Sequence, residues 1–355
     1  MMEEIRRKQL TDKDIQKRLM KRLSHSHPTA WIFFASGVLL FLLMVISLRF
    51  GAADLTWEVI NEAVWNFDAT ETAHVILMDL RMPRVLAAAV VGASLAVSGV
   101  IMQALTLNPL ASPSIMGVTS GSAFMIALGF ALFPQLSHYE LIIWSFTGAA
   151  LGAGLVFSIG FFTKRGLTPV KLALAGATVS ALLQSLSTMI AIHFDVARDM
   201  SFWYAGGVAG VRMDSVTVIA LVGIIGLLAS LTLSRSLTIL SLGEEMARGL
   251  GLKIGWIKLV SLLIVLVLTG AAVSIAGTVG FIGLVIPHMT KKVMGLDYRW
   301  VLPASALFGA SLLVLADIGA RVINPPYETP VGTLTALIGV PFFLLLARKE
   351  GRGWK

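Results

Sequence analysis

Ionisable side chains are scarce in the apolar stretches of this chain, and those present do not form a catalytic set. Asp317 and Arg321 stand four apart, the spacing of an ion pair on one helix face. His288 has no second histidine or acid at ligand spacing, so a structural hydrogen bond is expected of it and no metal site. The chain has no cysteine, which excludes disulfides, thiolate metal sites and a cysteine nucleophile. No G-x-x-x-x-G-K-[ST], H-E-x-x-H or G-x-S-x-G pattern occurs, so Walker-type ATP binding and the common hydrolytic centres are not expected. No catalytic residue and no cofactor is expected. What remains is recognition and gating.

One stretch suits docking. Leu242-Gly243-Glu244-Glu245-Met246-Ala247-Arg248-Gly249-Leu250-Gly251 is framed by glycines. Glu244 and Glu245 would open a short helix at its positive end, with Arg248 one turn later. Gly249 and Gly251 allow a sharp exit and close approach by a partner backbone. A second group is Arg81, Arg84 and Arg321, arginines at the ends of apolar segments. Arginine is costly inside a bilayer and rarely lies there without a partner. For Arg321 an internal pair with Asp317 is an equal expectation; for Arg81 and Arg84 the alternative is interfacial snorkelling. A third group comprises polar or helix-breaking residues near apolar segments: Gln103, Gln184, His193, and the Asn108-Pro109 and Pro287-His288 turns. Such breaks are tolerated where they are buried in protein or line a water-filled cavity.

The elements that must hold these residues follow from composition. Hydrophobic residues make up 56% of the 355 positions, charged residues 14%, and the mean hydropathy is +0.84. Soluble domains carry about 25% charged residues. The bilayer is the solvent that suits this chain, and the backbone then has to be helical. The net charge of +8 does not point to nucleic acid, because most basic residues sit at the ends of apolar segments.

Ten spans are expected, at about 31–48, 84–106, 114–133, 141–162, 170–193, 215–233, 257–279, 280–296, 301–322 and 331–347. The eighth is short and runs into Lys291 and Lys292. Residues 1–29 form a basic tail, either an amphipathic helix on the anionic leaflet or a plain positive-inside anchor. The first apolar run is span-length and lacks a cleavage site, so it reads as a helix and not a signal peptide. Residues 30–348 form the membrane domain and 349–355 a short second tail. With the N-terminus inside, the inner segments are basic and no lysine falls in an outer segment, which places both termini in the cytoplasm. A shift of 178 residues maps Gly92, Ala93, Gly99, Pro109 and Gly117 onto Gly270, Ala271, Gly277, Pro287 and Gly295. Five spans separate the copies, so the expected repeat is inverted.

Several stretches in order carry a resemblance. They are Leu80-Arg81-Met82-Pro83-Arg84, Gly92-Ala93-Ser94-Leu95-Ala96-Val97-Ser98-Gly99 with Gln103, Asn108-Pro109-Leu110-Ala111-Ser112-Pro113 with Gly117, and the 242–251 stretch. Gly277-Thr278-Val279-Gly280-Phe281-Ile282-Gly283 through Pro287-His288, Leu302-Pro303, Ala316-Asp317-Ile318-Gly319-Ala320-Arg321 and Glu328-Thr329-Pro330-Val331-Gly332 complete the set. Together, over about residues 31–347, they closely resemble the FecCD family of ABC importer permeases, which handle ferric siderophores, heme and cobalamin.

The resemblance implies an all-α polytopic membrane protein of BtuC-like architecture in the bacterial cytoplasmic membrane. It implies two permease chains, identical or paralogous, that line one pathway. It also implies separate ATP-binding subunits that engage the 242–251 stretch, and an extracytoplasmic substrate-binding protein that docks on Arg81, Arg84 and Arg321. The 163–170 loop with Thr168 corresponds to an inner gate, and Gln103, Asn108, Pro109, Pro287 and His288 to the path. The expected cargo is a ferric siderophore, with heme or cobalamin as the alternative. A secondary transporter would need ionisable residues near mid-membrane, and the spans hold almost none beyond Asp317. An intramembrane hydrolase would need paired catalytic groups on adjacent spans, and no such pair is found.

Overall fold

The computed structural model describes residues 29–51, 55–133, 135–161, 169–324 and 327–350. The basic N-terminal tail, the loop with Thr168 and the last five residues lie outside the described residues. Each of the ten apolar segments coincides with a helix. They are α1 (Thr29–Arg49), α3 (Thr72–Thr106), α4 (Val118–Leu132), α5 (His138–Phe161), α6 (Pro169–His193) and α8 (Met213–Thr232), followed by α11 (Ile254–Ala276), α12 (Ile282–Met294), α13 (Tyr298–Val322) and α14 (Val331–Glu350). Short helices fill the connections: α2 (Trp57–Trp65), α7 (Ala197–Ala205), α9 (Ser234–Leu240) and α10 (Glu244–Gly249). Among the described residues, seven helices are long and apolar enough to cross a membrane; α4 and α14 are shorter apolar helices, and α12 has only 13 residues.

α3 is the centre of the bundle. It is buried almost continuously from Ala96 to Thr106 and packs on α13, α11, α12 and α8. With no hydrophobic force between helices in lipid, close packing needs small residues at the crossings. A Cβ on Gly92 would run into the Gly309 carbonyl of α13, and a Cβ on Gly309 into that of Gly92. Gly99 meets the Gly283 backbone of α12 in the same way.

Three expectations change here. The second span does not start at 84: the chain is helical from Thr72, with a π-helical turn over Ile76–Arg81 just before Met82 and Pro83. Pro287 does not break a helix, because it sits inside α12 with its neighbours Ile286 and Gly283 buried. Asn108-Pro109 does end a helix: Leu107 takes a left-handed conformation at φ 50°, and the Asn108 Oδ1 accepts from the Leu110 N–H at 2.9 Å. The 178-residue register also fails residue by residue. Gly99 lies inside α3 whereas Gly277 ends α11, and Gly117 precedes α4 whereas Gly295 follows α12. Glycines recur wherever helices touch, so matched spacing alone does not imply matched position.

Asp297 caps α13 by accepting from the Arg299 N–H at 3.0 Å. The Arg299 guanidinium forks onto the same carboxylate at 2.7 and 3.0 Å and holds it below the usual carboxylate range.

Candidate functional site

At one end of the bundle α1 stops, α3 starts and α13 stops. A helix C-terminus leaves carbonyls without intrahelical donors. In α1 these carbonyls receive arginines. Arg81 Nη1 donates to Leu48 O and Arg49 O, both at 2.7 Å. Arg321 Nη1 donates to Ser47 O at 2.9 Å and Phe50 O at 2.7 Å, and its Nη2 donates to the Ser47 hydroxyl. Positive charge is favoured at this pole of the helix dipole. Gly51 lies against the Arg81 guanidinium, where a Cβ would have no room.

Arg84 joins the group from α3, just after its π-helical turn. Its Nε donates to Asp317 Oδ1 at 2.9 Å and its Nη1 to Glu328 Oε1 at 2.6 Å. Asp317 is fully buried and is shared with Arg321, whose Nη2 lies 2.9 Å from Oδ2. That second approach is off the hydrogen-bond line, since Oδ2 accepts no geometrically sound bond. The three arginines are 6–8% exposed, while the Glu328 side chain is 47% exposed. Snorkelling is not what these guanidiniums do; they are engaged inside the chain. Arg321 makes the expected i,i+4 pair and three further contacts that no local spacing suggests.

At α10, Gly243 has φ 119° and Gly251 φ 79°. Leu252 N–H donates to Ala247 O and Gly251 N–H to Arg248 O, at 3.1 and 2.9 Å. This is the Schellman termination, which needs a left-handed residue at Gly251. Gly249 carries no such demand, and nothing lies within 4 Å of a Cβ built on it. Ala247 is buried, whereas Leu242, Met246 and Leu250 are more than half exposed and Glu245 and Arg248 are also exposed. Glu244 is not presented outward. Its Oε1 takes a 2.5 Å contact from Lys258 Nζ at the start of α11, with Arg248 at 3.7 Å.

The residues expected on the path are dispersed. Gln103 is 3% exposed and bridges α3 to α12, accepting from Lys291 Nζ at 2.9 Å and donating to Leu284 O at 3.4 Å. The ring of His288 lies 5.6 Å from that of Phe342 of α14, edge-on. Gln184 is exposed on α6, in line with exposed Ala177, Thr178, Ala181, Ser185 and Thr188. Sequence reasoning missed Lys258, Lys291, Glu328 and Ser47 as partners. Each of these pairings spans at least 14 residues, beyond the reach of helix-face spacing.

The family model described as the FecCD transport family matches residues 39–349. The chain belongs to the FecCD transport family. Among curated members, it is 56% identical over 330 residues to the iron(3+)-hydroxamate import system permease protein FhuB of Bacillus subtilis, covering 93% of this chain and 86% of that one. It is 42% identical to the iron-uptake system permease protein FeuB of the same organism, with 91% and 97% covered. A solved metal-chelate type ABC transporter in an inward-facing conformation superposes with a TM-score of 0.78 at 31% identity, over 90% of this chain and 99% of that chain. Membership accounts for an all-helical, multi-pass permease without catalytic groups of its own.

Proposed function

We propose that this FecCD-family chain is the permease subunit of an ABC importer that carries ferric-siderophore complexes, hydroxamates first, across the bacterial cytoplasmic membrane. The observation that carries the reading is 56% identity to a hydroxamate permease over 93% of the chain. Heme and cobalamin are the alternative cargoes within the family. The test is uptake of radiolabelled ferric hydroxamate by cells that lack the gene and carry it on a plasmid, beside heme and cobalamin. Restored uptake of heme or cobalamin alone would overturn the assignment of cargo.

The chain would work with two ATP-binding subunits, a substrate-binding protein and a second permease chain. Both termini would be cytoplasmic. That orientation puts α10 inside, where its exposed Leu242, Met246 and Leu250 suit an apolar groove on the ATPase. Movement there would reach the bundle through Glu244 and Lys258, which join α10 to α11. The arginine end would face outward and receive the binding protein. A carboxylate of that partner would compete with the half-exposed Glu328 for Arg84. The face of α6 that carries Gln184 would line a wide, weakly binding path shared with the second chain, because an amide exposed at bilayer depth needs water or protein beside it, whereas the Thr178, Ser185 and Thr188 hydroxyls already donate to carbonyls of α6. An ion-coupled transporter is disfavoured, since the buried carboxylate among the described residues, Asp317, is held between two arginines.

A further inference from the structure

We infer that α2 lies in the membrane interface, with Trp57, Val64 and Trp65 seated among the lipid headgroups and upper acyl chains of the leaflet at the arginine end. Trp57, Val64 and Trp65 follow the i, i+7, i+8 spacing of one helix side and are 45%, 45% and 78% exposed. Ile60 and Ala63, on the next side, are buried against Leu48, Leu55, Leu77 and Val85. Glu58 and Glu62, one turn apart, are exposed on the side away from the buried pair. The helix thus has a protein side and an exposed apolar side, which includes Asn61 and borders the acids where Trp65 neighbours Glu58, a division that an in-plane helix can use. Phe67, just beyond its end, adds a further half-exposed ring.

Two observations choose lipid as the occupant. First, the apolar side stands beside a surface that must already face lipid. α2 packs at the end of α1, the least buried of the membrane-crossing helices, where Leu42, Ile46 and Phe50 are exposed. Second, the depth is right. Arg49 is the exposed last residue of α1, where a basic side chain at a span's end would meet headgroups, and its guanidinium lies over the Trp57 ring at 5.3 Å. Tryptophan is the residue that favours that layer, with an apolar body and one N–H donor. The inference rests on the chain spanning a bilayer and not on its cargo or partners.

The native chain has no cysteine, so single labels are clean. Val64→Cys and Phe67→Cys would carry spin labels, beside Glu58→Cys and Glu62→Cys, in the full permease reconstituted into phosphatidylcholine–phosphatidylglycerol vesicles. Collisions with oxygen, which partitions into lipid, and with a water-soluble nickel chelate would be measured. The expected oxygen-to-nickel ratio is several-fold higher at 64 and 67 than at 58 and 62. A readout free of labels is quenching of tryptophan emission by lipids brominated high on the acyl chain, part of which should disappear in Trp57→Phe/Trp65→Phe. Equal ratios at all four positions together with unchanged quenching would overturn the inference. So would spin–spin broadening at 64 and 67, which would assign the face to a second copy, or nickel protection there only after the binding protein is added.

Discussion

Arg84 and Asp317 meet across 233 positions of sequence, Nε to Oδ1 at 2.9 Å, with the carboxylate sealed from solvent. The pair ties the central helix α3, just after its π-helical turn, to the last turns of α13. Arg321 shares the same carboxylate and fastens the end of α1. One acid therefore sets the relative position of three membrane helices.

Asp317→Asn should be strongly destabilising. It would leave two buried guanidiniums facing one neutral amide. Breaking a buried ion pair by removing one partner costs about 3–5 kcal/mol. The permease should lose several degrees of thermal stability in detergent, read by the loss of its monodisperse elution peak after heating. Arg84→Lys should not match the native protein, because an ammonium does not reproduce the two-point contact to Asp317 and Glu328. A native melting temperature in Asp317→Asn would refute the structural role.

Glu328→Gln separates docking from folding. Glu328 is half exposed, so its bond to Arg84 should contribute only about 0.2–1 kcal/mol to stability. Removing its charge leaves the rim more positive. The variant should bind an acidic substrate-binding protein more tightly at low salt, with the difference shrinking as salt rises. Titration of labelled binding protein at two ionic strengths measures this. Unchanged affinity at both would mean that the arginine end does not receive the partner through charge.

Gly249→Trp should abolish uptake while leaving membrane insertion intact. Gly249 has open space around it, so the fold tolerates the side chain and only an approaching partner would clash. Co-purification of the ATPase should fall at least tenfold, which corresponds to about 1.4 kcal/mol. Lys258→Met should lower uptake with less loss of ATPase binding, since Lys258 holds Glu244 in place and the exposed residues remain. Full ATPase recovery with Gly249→Trp would remove α10 from the docking surface.

Cysteines added at 70 and 327 should react with an impermeant maleimide on cells whose cytoplasmic membrane is accessible. Those at 165 and 245 should react only after permeabilisation. Reaction of position 165 from outside would reverse the proposed orientation.

The sequence by itself determined the helices. In lipid every backbone donor and acceptor must be met locally, so an apolar run of span length has one solution, and all ten such runs are helical here. It also placed α10, since glycines at 243 and 251 and acids at its start are local signals. It misjudged Pro287 and the start of α3, because whether proline ends a helix depends on what surrounds the freed carbonyl. The partners were decided only by tertiary structure. Arg81 and Arg84 look like free basic residues at a segment end. Their acceptors are the last carbonyls of α1, a buried acid on α13 and a glutamate before α14, brought together by packing at glycines 92 and 309. A guanidinium in or near lipid has to find such partners, and which ones it finds is set by helix crossings that composition and spacing do not encode.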